Sequence, residues 1–371
     1  MTEKSLVELK RGPLYDAQIR NGAKFGEMAG CRTPLSFAGP LLEHKAVRES
    51  AGLFDRTYHG AIRISGTESA QFLNGLVSND VKTLQPGRWL HAAFLTAHGK
   101  VKALCSIHNL GDALLLLNDP QTHDKVYSFV FPFSYAGDFK VEEASVQYRT
   151  ISVEGPRSEA VIKEICFEPA SDLGDDEWRN ATIAGAPCLL RRYSRTGERG
   201  FLIMAAEAGV TDVWEFILMK GAFHGIAPIG LAAAEILRIE AGIPMYGSDI
   251  DETNMLLECG LPDYASFTKG CYVGQEAVAM ATYRGHISKK LCGIIVESDS
   301  VPPNSAKLFA ESKEVGRVTS SLASPSLGRT ICLGYVKYGF FDVGKRLDVE
   351  MDHTTVQGQI VALPFCGSER P

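Results

Sequence analysis

The stretch Lys269–Glu276, KGCYVGQE, places a base, a thiol, a phenol, an amide and an acid within eight positions that include two glycines. A turn bracketed by glycines can hold Cys271 at the surface, where the neighbouring Lys269 would lower the pKa of its thiol. If Gln275 begins a helix, the helix N-terminus acts in the same direction. The alternative is an ordinary loop with an inert, buried cysteine. Composition alone favours that alternative, because a cysteine near a lysine is common.

Around this stretch lies a chain of 371 residues, of which 45% are hydrophobic and 22% charged, the balance of a globular protein with two or three packed units. Its net charge of −6 and pI near 5.9 give no general attraction to nucleic acid or anionic lipid, so we expect neither as a partner. The N-terminus lacks a secretory apolar core, and no stretch approaches the roughly 20 apolar residues of a membrane helix. We therefore expect a cytoplasmic protein without a membrane partner.

The nine cysteines are scattered without a CxxC pair, and the nine histidines show no HxH or HExxH spacing. This pattern argues against a disulfide framework and against a metal site. Most of the cysteines are expected to be small buried residues. No GxGxxG or GxxxxGK[ST] loop is present, which argues against a nucleotide-dependent enzyme.

Hydrophobic periodicity predicts a mixed chain. Alternating or β-branched segments predict strands at 61–64, 113–117, 148–153 and 200–204. Apolar residues three and four apart predict helices at 68–75, 158–166, 211–220 and 231–238. After about residue 284 only short apolar segments follow, which predict strands at 290–296, 307–310, 315–320, 331–336 and 346–351. The fold class is therefore α+β, with an all-β barrel or sandwich at the C-terminal end.

Two further groups of residues could bind a ligand. Glu198, in TGERGF just before a predicted strand, offers a carboxylate that could accept two hydrogen bonds from the N–C–NH2 edge of a pterin. A hairpin turn with a solvated Glu-Arg pair explains the same letters. Arg238 and Glu240 are two positions apart and cannot share one helix face, so either the helix ends near Ile239 or one of them points inward. An inward arginine suits a buried carboxylate or the tail of an anionic ligand, whereas a surface Arg-Glu network is the alternative.

In their order along the chain, these motifs resemble the glycine-cleavage T-protein superfamily over nearly the whole sequence. The resemblance rests on GPLYD, EHKAVR and AGLFD near the N-terminus, then NDV at 79–81, TGERGF at 196–201, LRIEAG at 237–242 and YG at 246–247. It implies a ring of two α/β units, about 1–55 with 145–285 and 56–144, followed by a C-terminal β-barrel over 286–371, all around a central channel for tetrahydrofolate. By position, it implies that Glu198 grips the pterin edge, that Arg238 and Tyr246 line the channel, and that Asn79 belongs to the folate-binding set.

The sequence also departs from the family pattern. Where T-proteins have GGVIDDL, this chain has Gly99–Cys105, GKVKALC, so both aspartates are absent. A general acid or base contributes a factor of roughly 100 to 10,000, so ordinary aminomethyl transfer should be severely weakened unless another group, such as Lys100 or Lys102, replaces them. The family tyrosine before the Gly-Glu turn is replaced by Arg195.

KGCYVGQE is the signature of the YgfZ-type folate-binding branch, whose members are linked to maturation and repair of iron–sulfur enzymes. The following 283–285, YRG, is similar to that branch, although Met280 stands where it often has arginine. The resemblance therefore implies a tetrahydrofolate-binding accessory factor that works with iron–sulfur proteins or their assembly factors, with Cys271 as a functional thiol. One alternative is a folate-dependent aminomethyltransferase or demethylase acting on a small donor. Another is a folate sensor without chemistry.

Overall fold

A computed structural model describes residues 9–366 apart from 167, 169, 171, 284–286 and 353, and apart from the side chains of 282 and 283. Within these residues no helix has the length and apolar character needed to cross a membrane.

Helices and strands alternate through the first three quarters of the chain. The helices are α1 (Tyr15–Arg20), α2 (Pro40–Glu49), α3 (Ser69–Leu76), α4 (His123–Val130), α5 (Ser158–Ile165), α6 (Glu207–Gly221), α7 (Leu231–Glu240) and α8 (Gln275–Tyr283), with 3-10 turns at Phe131–Tyr135, Ala222–His224 and Pro262–Tyr264. The strands of this part are β1 (Lys10–Arg11), β2 (Lys24–Met28), β3 (Cys31–Ser36), β4 (Ala51–Asp55), β5 (Gly60–Ser65), β6 (Trp89–Leu95), β7 (Val101–Asn109), β8 (Ala113–Asn118), β9 (Lys140–Glu143), β10 (Arg149–Glu154), β11 (Trp178–Ile183), β12 (Ala186–Arg192), β13 (Gly200–Ala205) and β14 (Ile226–Ile229).

The last part of the chain is all β, as its short apolar segments predict. It contains β15 (Lys289–Val296), β16 (Lys307–Ala310), β17 (Lys313–Ser324), β18 (Arg329–Lys337), β19 (Arg346–Glu350) and β20 (Thr355–Val361). These strands close into a barrel in the order β15-β18-β17-β16-β19-β20. Closure leaves no unpaired edge, and the alternating apolar residues fill the interior. The predicted α+β class with a C-terminal barrel is thus confirmed.

Two larger sheets, outside the barrel, face each other. The six-stranded sheet has the order β11-β12-β13-β10-β4-β14, and the five-stranded sheet has the order β6-β7-β8-β5-β9. Alternation places one row of side chains from each sheet in a shared apolar cluster, which includes Leu115 and Leu117 of β8 and Leu202 and Met204 of β13. The two sheets lie on opposite sides of this cluster. Side chains of the two sheets that lie next to the cluster can therefore approach each other.

Helix α7 lies at the junction of the helical part and the barrel, and this position explains how its Arg238 and Glu240 are both buried. Arg238 is 4% exposed and Glu240 is fully buried. The helix continues through both residues. Their side chains contact different neighbours, which are described below. We propose that the two facing sheets and the barrel mark the three units expected from the sequence; the predicted limits at 55, 144 and 285 stay predictions.

Candidate functional site

The ammonium of Lys269 caps the end of helix α3. Its Nζ donates to the carbonyl oxygens of Asn74 (2.8 Å), Val77 (2.7 Å) and Asn79 (2.6 Å). These carbonyls lie at the C-terminal end of the helix and just beyond it, where a positive charge is favourable. Burial lowers the pKa of Lys269 to about 8. Activation of Cys271 by this lysine was one of two interpretations of the sequence, beside an ordinary loop; the hydrogen bonds of Lys269 show that it holds α3 to the 269–276 loop.

Three other residues of the motif, Tyr272, Gly274 and Gln275, have structural roles, whereas Gly270, Val273 and Glu276 are exposed. Tyr272 is buried in the cluster that reaches the barrel. Gly274 has a φ of +86°, and a Cβ at this position would lie 2.5 Å from the carbonyl oxygen of Thr96 in the β6–β7 turn. Gln275 begins helix α8, as the sequence predicts. The close approach of two loops therefore requires glycine at 274.

Cys271 differs from the other described cysteines in its exposure. It is exposed, whereas six of the other cysteines are buried and two are partly buried. No hydrogen bond of its side chain occurs among the described residues. The following Met280 is 47% exposed, and Arg284 and Gly285 of the YRG sequence lie outside the described residues. Cys271 thus has no packing role that would explain it.

Glu198 belongs to a largely buried network of charged residues, and one of its two carboxylate oxygens is bound within this network. Its Oε1 accepts a hydrogen bond from Arg48 Nη1 at 2.7 Å. The other end of the same guanidinium donates to Glu240 Oε2, also at 2.7 Å. Glu240 in turn accepts from His44 (2.8 Å) and Ser324 (2.5 Å), which joins helix α2, helix α7 and the barrel.

Arg238 has protein acceptors for all of its N–H groups. It donates to both carboxylate oxygens of Glu235, to Asp249 at 2.8 Å, to the carbonyl of Ile243 and to Ser320 of the barrel at 3.0 Å. Burial lowers its pKa, but the charges of Asp249 and Glu235 outweigh that effect and raise it. These contacts join α7 to the barrel, so a ligand could contact Arg238 only by displacing one of them.

Tyr246 and Asn79 lie closer to the space between the sheets. Burial raises the pKa of Tyr246, and the charges of Asp251 and Asp119 add to this effect. Asn79 Nδ2 donates to the carbonyl oxygens of His91 (2.8 Å) and Asp263 (3.0 Å). Asn79 therefore joins strand β6 to the turn that carries Tyr264.

A row of rings lies between the two sheets, and we call this group of residues the inner recess. His91 stacks on Tyr264 with centroids 4.4 Å apart, and Trp89 meets the edge of His91 at 4.8 Å. Trp89 also stacks near His108 of the adjacent strand, and Arg191 of β12 lies over Trp89 from the opposite sheet, its Cζ 3.9 Å from the ring centroid. The recess is thus built from strands β6, β7 and β12.

The titratable groups of the recess are surrounded by protein but remain partly exposed to solvent. His59, His91 and Asp119 each retain intermediate exposure. Burial, together with the charges of Arg191 and Arg195 and, for His59, of Arg56, lowers the pKa of both histidines to about 3, so both rings are neutral at pH 7. Burial raises the pKa of Asp119, against the opposing charge of Arg195. This arrangement offers a protonatable carboxyl beside neutral imidazoles.

The positions of the two missing aspartates are apolar. Ala103 is 1% exposed and Leu104 is 8% exposed. Lys102 is the extra residue of a bulge between β6 and β7, and its Nζ lies 4.7 Å from the ring centroid of Phe129. Lys100 Nζ lies 3.9 Å from Glu258 Oε2. Each lysine therefore has a partner other than Asp119 or the two recess histidines.

Comparison with known families decides the relationship. The model of the GCVT N-terminal domain matches residues 14–269, and that of the glycine cleavage T-protein C-terminal barrel domain matches 289–366. The chain belongs to the glycine-cleavage T-protein family. It is 31% identical to an aminomethyltransferase of Desulforamulus reducens over 97% of this chain and 99% of that protein, and 30% identical to that of Bacillus subtilis over 96% and 99%.

A solved T-protein supports the fold of this family member. The glycine cleavage system aminomethyltransferase T from Bartonella henselae superposes with a TM-score of 0.88 at 24% identity, over 96% of this chain and 98% of that one. At this identity the likeness shows the fold alone.

Sequence analysis missed most of the inner recess of this T-protein-family chain. It did not single out Asp119, His59 or Arg191, and it noted Arg195 only as a replacement. These residues come from different strands and carry no local motif. The one available signal was the alternation of β12, in which the charged Arg191 falls on the same face as Leu189.

Proposed function

We propose that this chain binds tetrahydrofolate and moves a one-carbon unit between a small donor and the folate. The inner recess carries this proposal, because it combines stacking rings, neutral imidazoles and a buried carboxyl in a solvent-reached space. Relatives named aminomethyltransferase, which align over almost the full chain at about 30% identity, support the same class of reaction. This was the alternative of the sequence analysis, and the relatives support it better than the accessory role.

Asp119 is the group that we propose as the acid in place of the two missing aspartates. A carboxyl whose pKa is raised by burial is protonated in a larger fraction of molecules near neutral pH, which suits proton donation to a folate nitrogen. The proton would leave the carboxyl as the nitrogen takes it. Neutral His59 and His91 leave Asp119 as the acidic group of the recess beside the arginines.

Four other residues are proposed to contribute to folate binding. Tyr246 borders the recess near Asp119, and Asn79 holds the backbone of His91 in place. Glu198 Oε2 has no donor among the described residues, which leaves it available to a pterin edge. Arg238 would act through the position of helix α7, because its own donors are used.

Product formation tests this function. The protein is incubated without oxygen with tetrahydrofolate and candidate donors: small methylated amines, sulfonium compounds, aryl methyl ethers and an aminomethyl-loaded carrier protein. Mass spectrometry should detect methylene- or methyl-tetrahydrofolate. Asp119→Asn should slow its formation by about 100-fold or more, while Asp112→Asn, in an exposed ion pair with Arg63, should not. Wild-type protein that forms no product from any donor class would contradict one-carbon transfer.

A second candidate function, as an accessory factor of the YgfZ type in iron–sulfur protein assembly or repair, is favoured by Cys271. In KGCYVGQE the lysine, tyrosine, second glycine and glutamine have packing roles, whereas the exposed thiol has none. Its partners would be iron–sulfur proteins or their assembly factors. Expression of Cys271→Ser in a host that lacks the protein tests this candidate. Full recovery of iron–sulfur enzyme activity by the variant would exclude a role for the thiol.

A further inference from the structure

Arg191 is a buried cation without a counter-ion. It is 2% exposed, and no carboxylate of the described residues forms an ion pair with it. Its hydrogen bonds go to the carbonyl oxygen of Arg192 (3.1 Å) and, at the long distance of 3.5 Å, to Ser106 Oγ. A guanidinium has five N–H donors, so most of them lack an acceptor, and the buried Nε is among these.

Neighbouring polar atoms are in the same condition. Trp89 Nε1 and His108 Nε2 are buried and have no hydrogen-bond partner among the described residues. Trp89 contacts both other side chains, because Arg191 lies over its ring and His108 stacks beside it. Buried donors in native proteins are nearly always satisfied. His108 Nδ1 donates to the carbonyl oxygen of Leu115 (3.3 Å), so its Nε2 is an acceptor; the unsatisfied donors are those of Arg191 and Trp89 Nε1, and they indicate a ligand that accepts hydrogen bonds.

The charges around the recess indicate the sign of that ligand. Arg56 is balanced by Glu154 at 2.7 Å. Arg195, in contrast, forms no ion pair within the described part of the chain, although its charge acts on His59, His91 and Asp119. Arg191 and Arg195 thus both lack an ion-pair partner among the described residues, the charge of Asp119 is opposed by Arg195, Arg238 and Arg56, and the histidines add no charge at pH 7. Leaving a buried guanidinium unpaired is costly, so an anion is needed.

We infer that the inner recess binds a small monocarboxylic acid whose carboxylate pairs with Arg191, beside the rings of Trp89 and Tyr193, whose centroids lie 3.9 Å and 5.1 Å from the Arg191 Cζ. A planar carboxylate matches the guanidinium fork, and the two rings suit a methyl-bearing or aromatic body. The inference extends the proposed function by identifying the one-carbon donor as a carboxylic acid. The role of donor rests on the proposed function, whereas binding of the acid does not. The folate carries carboxylates of its own on its glutamate tail, and the experiment must distinguish these two sources.

The test measures binding of small acids by calorimetry in the absence of folate. Acetate, glycine betaine and benzoate serve as carboxylate probes, and benzamide is the uncharged match of benzoate. At least one acid should bind saturably at millimolar concentration, with benzoate at least tenfold tighter than benzamide. Arg191→Met should weaken acid binding at least tenfold and Arg191→Lys less. Arg88→Met, which removes a surface ion pair with Asp176, should leave it unchanged.

Folate binding to the same variants distinguishes the sources. Tetrahydrofolate should bind Arg191→Met within about twofold of its affinity for the wild type. If that affinity falls at least tenfold while tetrahydropterin, which lacks the tail, binds unchanged, Arg191 holds the folate tail and the inference is wrong. It is also wrong if no probe acid saturates, or if benzoate and benzamide bind wild type equally. This last comparison needs no variant and holds even if Arg191→Met fails to fold. Acid binding without product formation would sustain this inference while contradicting the proposed transfer.

Discussion

Replacement of Glu240 by glutamine should destabilise the junction between helix α7 and the barrel. The carboxylate is fully buried and accepts hydrogen bonds from Arg48 (2.7 Å), His44 (2.8 Å) and two barrel serines, Ser324 (2.5 Å) and Ser326 (2.8 Å). Glutamine keeps the shape but removes the charge and turns one acceptor into a donor facing donors. A hydrogen bond to a charged group contributes about 1.5–3 kcal/mol, and Arg48 retains Glu198 as a partner. We therefore expect a loss of about 3 kcal/mol.

Urea denaturation followed by circular dichroism measures this loss. With a denaturant slope of about 3 kcal/mol per molar, the midpoint at pH 7 should fall by about 1 M. Glu235→Gln is the matched control, because Glu235 lies on the same helix, pairs with Arg238 and is 42% exposed; it should cost less than about 1 kcal/mol. Equal losses for the two variants would refute the reasoning.

The lowered pKa of Glu240 predicts how the stability of wild type and of Glu240→Gln depends on pH. Burial raises the pKa of Glu240, but the donors His44, Ser324 and Arg48 outweigh this and hold it well below the ordinary 4.5. A carboxyl whose pKa is depressed on folding contributes stability above its unfolded value, and this contribution is lost as the pH falls toward the folded value. Wild type should therefore lose more stability than Glu240→Gln between pH 7 and acid values below 4.5. Parallel pH profiles would contradict this.

Three further changes test the account of KGCYVGQE. Gly274→Ala should cost at least about 2 kcal/mol, from its positive φ and the 2.5 Å approach to a carbonyl, whereas a Cβ at Gly270 meets nothing within 4 Å, so Gly270→Ala should be tolerated in the same urea assay. Lys269→Met should lower the free energy of unfolding by about 2–4 kcal/mol, because it leaves three carbonyls without their donor; the exposed Lys82→Met is its control, and equal stabilities would contradict the capping role. The exposed thiol of Cys271 should react with a disulfide reagent in the folded protein as the fastest thiol; a fast phase that persists in Cys271→Ser would show that another cysteine is responsible.

Local patterns were sufficient for the strands and helices whose ranges were given from the sequence, although many others, such as β6, β7 and β12, were not identified. The alternation at 61–64 and the helical spacing at 158–166 correspond to strand β5 and helix α5, whose ends differ from the predictions by at most one residue. Strand β20 was not predicted, since its segment Thr355–Val361 contains a glycine and two glutamines among its apolar residues. Its place in the barrel comes from pairing with β15, which is distant in sequence, and with β19, from which a short loop separates it.

The candidate site could be predicted only in part, because its charges are arranged by tertiary contacts. Glu198 and Arg238 were singled out as ligand-binding groups, yet the structure pairs them with Arg48 and Asp249. Nothing adjacent in sequence indicates these partners, which are 150 and 11 positions away. Conversely, Arg191 has no conspicuous neighbours in the sequence. Its lack of a counter-ion becomes visible only when the two sheets are brought together.

Calorimetric titration of the folded protein with tetrahydrofolate, in the absence of oxygen, tests the central claim most directly. Wild type should bind one tetrahydrofolate saturably, and Cys271→Ser should bind it with the same affinity, because that thiol is exposed and is not among the groups of the inner recess. A titration of wild type that shows no saturable binding would contradict the account.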